Sequence, residues 1–128
     1  DPAKVILRVS LKLPSHEIQT GEKIAEIWDY ERSPLFDDAE RAALRFAQCA
    51  ALVPNMVSDE DVEAVKKHYN EDGIVEILGV VCWYGFLNRW NDSLATELED
   101  VAFEKASQTL KGTDWSAGKH TPKQARSL

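Results

Sequence analysis

A long apolar run in the second half of the chain constrains the fold more than any other feature. From Ile74 to Leu87 the sequence reads IVEILGVVCWYGFL, and Glu76 is the single charged residue in it. Apolar side chains would surround a helix of this sequence on nearly all sides, so we predict a helix from Glu71 to about Asn91 that is either central or covered by a second subunit. Gly79 and Gly85 each cost such a helix roughly 1 kcal/mol relative to alanine, and they favour close contact with another helix.

Helix-start signals place two shorter helices before this run. Asp37 followed by Glu40 is a capping-box pattern, in which two side chains satisfy backbone N–H groups at the start of a helix. Apolar residues then recur at helical spacing, and together these signals predict a helix from about Asp38 to Leu52. Ser58 followed by Asp61 repeats the pattern and opens a short amphipathic helix.

The two ends of the chain carry weaker signals. Ser93 can cap a further helix that continues to Leu110, and residues 111–128 are polar with glycine and proline among them. Residues 5–13 alternate apolar and polar side chains, which fits a helix or a strand, and the helical character of the rest favours the helix. We therefore predict an all-α fold, with one helical domain over residues 1–110 and a polar tail over residues 111–128.

The charge of the chain bears on its partners. A formal net charge of -7 would repel a nucleic-acid backbone or an anionic membrane surface before specific contacts formed. The apolar run is too short to cross a bilayer, and the chain does not open with a basic and then apolar signal segment. We expect a cytoplasmic protein with neither nucleic acid nor membrane as partner.

A polar cluster follows the apolar run directly. It consists of Asn88, Arg89, Asn91 and Asp92, with Trp83 two turns before its end. Arg89 and Asp92 are three residues apart, a spacing that suits an ion pair on one helix face. A structural hydrogen-bond cluster is the favoured interpretation over direct catalysis, because ion-pair networks are often structural.

Single titratable residues provide weaker catalytic candidates. Glu76 could act as an acid or base among its apolar neighbours, although it more simply marks an exposed stripe of the helix. His16 and Glu17 form an adjacent pair in a turn-like segment. Cys49 and Cys82 are 33 positions apart, so we predict two reduced core thiols rather than a local motif. The three histidines have no metal-ligand spacing, and we expect neither a metal nor a cofactor.

Three segments together carry a family resemblance. They are EKIAEIWDYERSPLFDDAERAALRFA (residues 22–47), IVEILGVVCWYGFLNRWNDSLATELE (residues 74–99) and WSAGKH (residues 115–120). They resemble the carboxymuconolactone decarboxylase-like superfamily, and most closely its alkylhydroperoxidase (AhpD-like) branch. The resemblance implies an AhpD-like helical domain whose helices interlock between the subunits of a dimer, trimer or hexamer. It also implies that Trp83 and the polar cluster are packing and pocket-wall elements.

The same resemblance implies thiol chemistry, but this sequence lacks the cysteine pair for it. In the peroxidase branch a Cys-x-x-Cys pair and a histidine precede the segment that here begins GEKI. One thiolate attacks the peroxide and the other closes a disulfide. In this chain KLPSHEIQT occupies that place, without cysteine. Either the chain is a divergent or truncated member without thiol chemistry, or a segment is missing between about Ser15 and Gly21.

Three functions follow as hypotheses. The leading one is an alkylhydroperoxidase-like antioxidant oxidoreductase, which requires a redox cysteine pair that this sequence does not display. The second is a cysteine-independent lyase or decarboxylase-like enzyme for a small-molecule substrate, with His16, Glu17 or Glu76 in proton transfer. The third is a catalytically silent oligomeric protein that binds a ligand.

Overall fold

The regular structure of this protein is helical throughout the residues that the computed structural model describes, 21–112 and 114–127. Strands are absent from both ranges, and the fold is all-α, as predicted. Within these two ranges, five α-helices follow one another: α1 Gly21–Ala25, α2 Asp38–Ala51, α3 Asp59–Lys66, α4 Glu71–Leu94 and α5 Asp100–Thr109. Short 3-10 helices span Ile27–Asp29, Gly118–His120 and Lys123–Ser127. The helix or strand considered for residues 5–13 lies outside the described residues.

The chain divides into two compact units, one ending at Asn88 and the other beginning at Arg89. The first unit contains a hydrophobic core to which the 3-10 helix Ile27–Asp29 and helices α2, α3 and α4 all contribute. Its buried members are Ile27, Tyr30, Phe36, Ala43, Leu44, Phe46, Ala47, Val65, Ile77 and Val81. The predicted division into a domain over residues 1–110 and a tail stays a prediction.

Helix α2 begins with the predicted capping box. Asp37 accepts a hydrogen bond from the Glu40 backbone N–H at 2.8 Å, and the Glu40 carboxylate accepts one from the Asp37 N–H at 3.0 Å. The face that follows is small and apolar, since Ala43, Leu44 and Ala47 are all fully buried. The helix ends at Ala51, one residue before the predicted end.

Helix α3 begins in the same way, and this prediction is also confirmed. Ser58 accepts from the Asp61 N–H at 3.2 Å, and the Asp61 carboxylate accepts from the Ser58 N–H at 2.9 Å. Val65 on this helix is fully buried in the core. Beyond its end, the Tyr69 hydroxyl donates to the Ala39 carbonyl at 3.2 Å and so joins the chain after α3 to the first turn of α2.

Helix α4 is less buried than its sequence suggests. Only Ile77 and Val81 are buried along it, so the predicted central position is wrong for the described chain. A side chain placed at Gly79 would meet no atom within 4 Å, so no helix of the described chain packs closely there. The other half of the prediction, cover by a second subunit, stays open. No helix in the described ranges combines the length and the apolar content that a membrane span needs.

The second unit contains helix α5 and the segment predicted as a polar tail. The Leu98 N–H donates to the His120 carbonyl at 2.8 Å. The rings of Phe103 and Trp115 lie 6.5 Å apart, centroid to centroid. The later residues of the chain therefore pack against the connection before α5 and against α5 itself.

The end of α4 corrects a second prediction. Ser93 lies inside α4 rather than at the start of a new helix, and α5 begins only after Glu99. The Thr96 N–H bonds to the Asn91 carbonyl at 3.0 Å and the Ala95 N–H to the Asp92 carbonyl at 3.4 Å, the two bonds of a Schellman motif. Ala95 occupies the left-handed position of this motif with φ 50°. Because alanine replaces the usual glycine there, the sequence did not signal the helix end.

We expect Ala95→Gly to stabilise the protein. Removing the β-carbon relieves a left-handed strain of about 1–2 kcal/mol, against an entropic cost of about 0.5–1 kcal/mol in the unfolded chain. The free energy of unfolding from urea titration should rise by up to about 1 kcal/mol. The matched control Ala102→Gly, inside α5, should lower it by roughly 1 kcal/mol. Equal destabilisation by both variants would contradict the strain at Ala95.

Candidate functional site

The start of α2 holds a buried ion pair. Lys23 Nζ lies 2.6 Å from Glu40 Oε1, and the two side chains are 16% and 6% exposed. The Lys23 ammonium also lies 5.2 Å from the centre of the Phe36 ring, a favourable cation–π contact. Since the other carboxylate oxygen of Glu40 caps α2, one acidic side chain both starts α2 and fixes α1 beside it.

The loop before α2 is held by side chains that bond to its backbone. Ser33 is buried, and its hydroxyl donates to the Glu26 carboxylate and accepts from the Leu35 N–H. Arg41 donates to the backbone carbonyls of Tyr30 and Ser33, at 3.2 and 2.9 Å. These polar groups satisfy one another, which indicates a structural role for this part of the site.

A second polar group surrounds the buried thiol of Cys49. Arg45 pairs with Asp61 at 3.2 Å, and the Tyr30 hydroxyl donates to Gln48 at 2.8 Å. Hydrogen bonds from Ser58, first from its backbone N–H, and the Arg45 guanidinium hold the pKa of Asp61 below its usual value. Burial raises the pKa of Tyr30 to about 12.

The two cysteines differ in accessibility. Burial raises the pKa of the Cys49 thiol, which confirms the predicted core position and leaves little reactive thiolate at neutral pH. Cys82 is exposed on α4, so the prediction of a core thiol is wrong at this position. The reason is the exposed side of α4, where Leu78, Trp83 and Phe86 are also exposed.

In the second unit, two basic side chains from the C-terminal segment contact Asp92. Lys119 Nζ lies 3.1 Å and His120 Nε2 3.3 Å from Asp92 Oδ1. Lys119 also donates to the Asp92 backbone carbonyl at 2.6 Å, near the end of α4. Hydrogen bonds from Lys119, and then from His120, hold the pKa of Asp92 below its usual value.

His120 completes this group through its other ring nitrogen. Nδ1 lies 2.7 Å from the Thr96 carbonyl oxygen. Because both ring nitrogens face protein acceptors, a neutral ring has an N–H group for only one of them. Lys119 and His120 lie 27 and 28 residues from Asp92 along the chain, so helical spacing could not predict them as its partners. Only the inclusion of WSAGKH in the family resemblance pointed towards this segment.

The structure describes one of the three catalytic candidates, Glu76. His16 and Glu17 lie outside the described residues. Glu76 is exposed on α4, which agrees with the interpretation that it marks an exposed stripe. Among the described residues, no group of three or more His, Cys, Asp or Glu side chains is arranged to hold a metal ion.

The pocket-wall candidates lie along the second half of α4. Trp83 is 61% exposed, with its ring centre 6.1 Å from that of Phe86. Arg89 and Asn91 are exposed. The side-chain nitrogen Nδ2 of Asn88 is buried and has no hydrogen-bond partner in the described structure. Buried amides are normally satisfied, so this nitrogen is an unmet hydrogen-bond donor within the described structure.

Comparison with known proteins gives one weak relationship. The uncharacterized protein YnjA of Escherichia coli strain K12 is 27% identical over 75 residues, which are 59% of this chain. The match covers 41% of YnjA, so the chain spans less than half of that relative's length. No family model and no solved structure matches the chain.

The Asp61 contacts predict a pH-dependent contribution to stability. A carboxylate with a lowered pKa in the folded state stabilises the fold above its unfolded pKa, and this contribution disappears as the pH falls through the folded value. We expect Asp61→Asn to cost about 1–2 kcal/mol at pH 7, and to cost less at an acidic pH below the ordinary pKa of aspartate. Urea titration at both pH values measures it, with exposed Asp59→Asn as control. A difference that persists unchanged at low pH would contradict a role for the charge.

The exposure of the two thiols predicts their order of alkylation. In dilute native protein we expect iodoacetamide to modify Cys82 within minutes, and Cys49 at least about tenfold more slowly because burial protects its thiol. Mass spectrometry of peptides from a time course gives both rates. Addition of denaturant should make the rates similar. Faster native labelling of Cys49 than of Cys82 would contradict the described burial.

Proposed function

We propose that this protein is an AhpD-like oxidoreductase that reduces hydroperoxides. The observation that carries the proposal is the resemblance of three segments, in order, to that branch of the carboxymuconolactone decarboxylase-like superfamily. The all-α fold is consistent with it. Residues of the stretch SPLFDDAER (residues 33–41), which belongs to the first of these segments, also have structural roles: Ser33 and Arg41 hold the loop before α2, and Glu40 caps α2.

The proposed reaction requires two thiols. A thiolate attacks one peroxide oxygen, the O–O bond breaks, and the other oxygen leaves as an alcohol after taking a proton. The resulting sulfenic acid condenses with the second thiol, which releases water and forms a disulfide. A dithiol reductant then restores both thiols. His16 and Glu17 lie where the resemblance implies proton-transfer residues.

The described cysteines do not provide this pair. Cys49 is buried and its thiol pKa is raised, and both Cys49 and Cys82 are free rather than joined in a disulfide. The peroxidase therefore requires a cysteine pair near His16, beyond the two cysteines of this sequence. The same observation favours a second candidate function, a cysteine-independent lyase or a silent ligand-binding protein on the same fold.

We also propose that the protein is a homo-oligomer joined through one face of α4. Val75, Leu78, Cys82 and Phe86 recur at spacings of three and four, which places them along one side of the helix, and Trp83 lies three residues before Phe86; all five are exposed. Fully burying an apolar side chain of this size stabilises a structure by about 1.5–3 kcal/mol, so a contact over this face has a substantial driving force. The open space at Gly79, on the same side, allows close approach of another helix.

A count of thiols combined with a peroxide assay tests the enzymatic proposal. We expect the purified protein to consume cumene hydroperoxide with dithiothreitol as reductant. A thiol count above the two cysteines of this sequence, from alkylation after denaturation, would identify the cysteine pair that the reaction requires. The variant Cys82→Ser should keep this activity, because the proposed pair lies elsewhere. Two thiols together with no peroxide consumption would overturn the peroxidase and leave the lyase and ligand-binding functions.

Substitution on α4 tests the assembly. We expect Leu78→Asp to shift the mass measured by light scattering from oligomer to monomer, because a buried unpaired carboxylate is costly. Val53→Asp, at a position 79% exposed in the loop after α2, is the matched control and should leave the oligomer intact. As protein concentration rises, alkylation of Cys82 should slow. A wild-type protein that is monomeric at all concentrations, with a constant Cys82 rate, would refute the proposed interface.

A further inference from the structure

The ring of His120 lies between two groups that can only accept hydrogen bonds. Nδ1 lies 2.7 Å from the Thr96 carbonyl oxygen, and Nε2 lies 3.3 Å from Asp92 Oδ1. A neutral imidazole has one N–H group and can donate to one of these acceptors, whereas the imidazolium donates to both. The side chain is 14% exposed, so water has limited access as a replacement partner.

The charges around the ring come from two elements. Asp92 on α4 is the anion that faces it. Lys119, next to His120 in the chain, shares the same carboxylate oxygen and donates to the Asp92 carbonyl. Lys123 pairs instead with Glu97, at 3.4 Å. The two basic side chains that face Asp92 also lie near the C-terminal end of α4, where the helix dipole favours positive charge.

We propose that His120 is a proton-controlled clasp that joins the 3-10 helix Gly118–His120 to the end of α4. When protonated, the ring connects the Thr96 backbone to the Asp92 side chain. When the proton leaves, one of the two contacts loses its donor and the clasp opens. The two-sided contact therefore requires both ring nitrogens to carry a proton, and histidine is the side chain whose charge ordinarily changes between about pH 5 and 8.

The backbone of His120 carries the effect to the connection between α4 and α5. The His120 carbonyl accepts from the Leu98 N–H at 2.8 Å, and its ring bonds to Thr96. Both Thr96 and Leu98 lie in the connection before α5, so this residue holds the connection from its side chain and from its backbone. Opening the clasp loosens that connection.

Hydrogen exchange at the Leu98 amide measures the clasp directly. We expect its protection factor, after correction for the intrinsic pH dependence of exchange, to fall about three- to tenfold between pH 5.5 and 8, as the loss of one hydrogen bond implies. The variant His120→Gln should abolish this pH dependence. The variant His68→Gln, which replaces an exposed histidine in the first unit, should retain it.

A second variant distinguishes the effect of the ring proton from a structural effect of replacing His120. In Asp92→Asn the side-chain amide can rotate and donate to a neutral Nε2, so protection at Leu98 should be the same at both pH values. The ¹⁵N chemical shifts of the His120 ring in the unmodified protein provide an independent reading, because the proposal requires both nitrogens to be protonated at the pH where Leu98 is better protected. A neutral ring at pH 5.5, or an undiminished pH dependence in His120→Gln, would overturn the proposal.

Discussion

The first unit depends on the interactions of one buried carboxylate, that of Glu40. One of its oxygens closes the capping box of α2, and the other binds Lys23 from α1. An isolated charge in this position would be costly, but here its hydrogen bonds and its cation offset the cost of burial. The first turn of α2 is thereby fixed next to α1. The face of α2 that carries Ala43, Leu44 and Ala47 is fully buried in the core.

The sequence predicted those features that depend on neighbours along the chain. The capping boxes of α2 and α3, and the positions of α2, α3 and α4, follow from local hydrogen bonds and helical periodicity. The end of α4 did not follow, because Ala95 adopts a left-handed conformation that sequence patterns associate with glycine. Local sequence patterns therefore predict the start of a helix better than a helix end whose left-handed position is not glycine.

The exposure of α4 and the partners of Asp92 could not be read from the sequence. An apolar helix indicates that something must cover it, but periodicity does not say whether the cover comes from the same chain. Asp92 binds Lys119 and His120 because the C-terminal segment returns to the end of α4, a contact between residues distant in sequence. Of the candidate site, the structure therefore shows which residues of α4 are exposed and which side chains contact Asp92. His16 and Glu17 remain predictions from the family resemblance.

The distribution of tryptophans has an optical consequence. Trp28, Trp83 and Trp90 are 53%, 61% and 59% exposed, and Trp115 alone among the four is half-buried against Phe103. The indole emission of the isolated chain should therefore be dominated by rings in contact with water. Because Trp83 and Trp90 both belong to α4, anything that covers this helix changes the emission of two of the four fluorophores at once. The protein thus carries a built-in spectroscopic reporter on its most apolar helix.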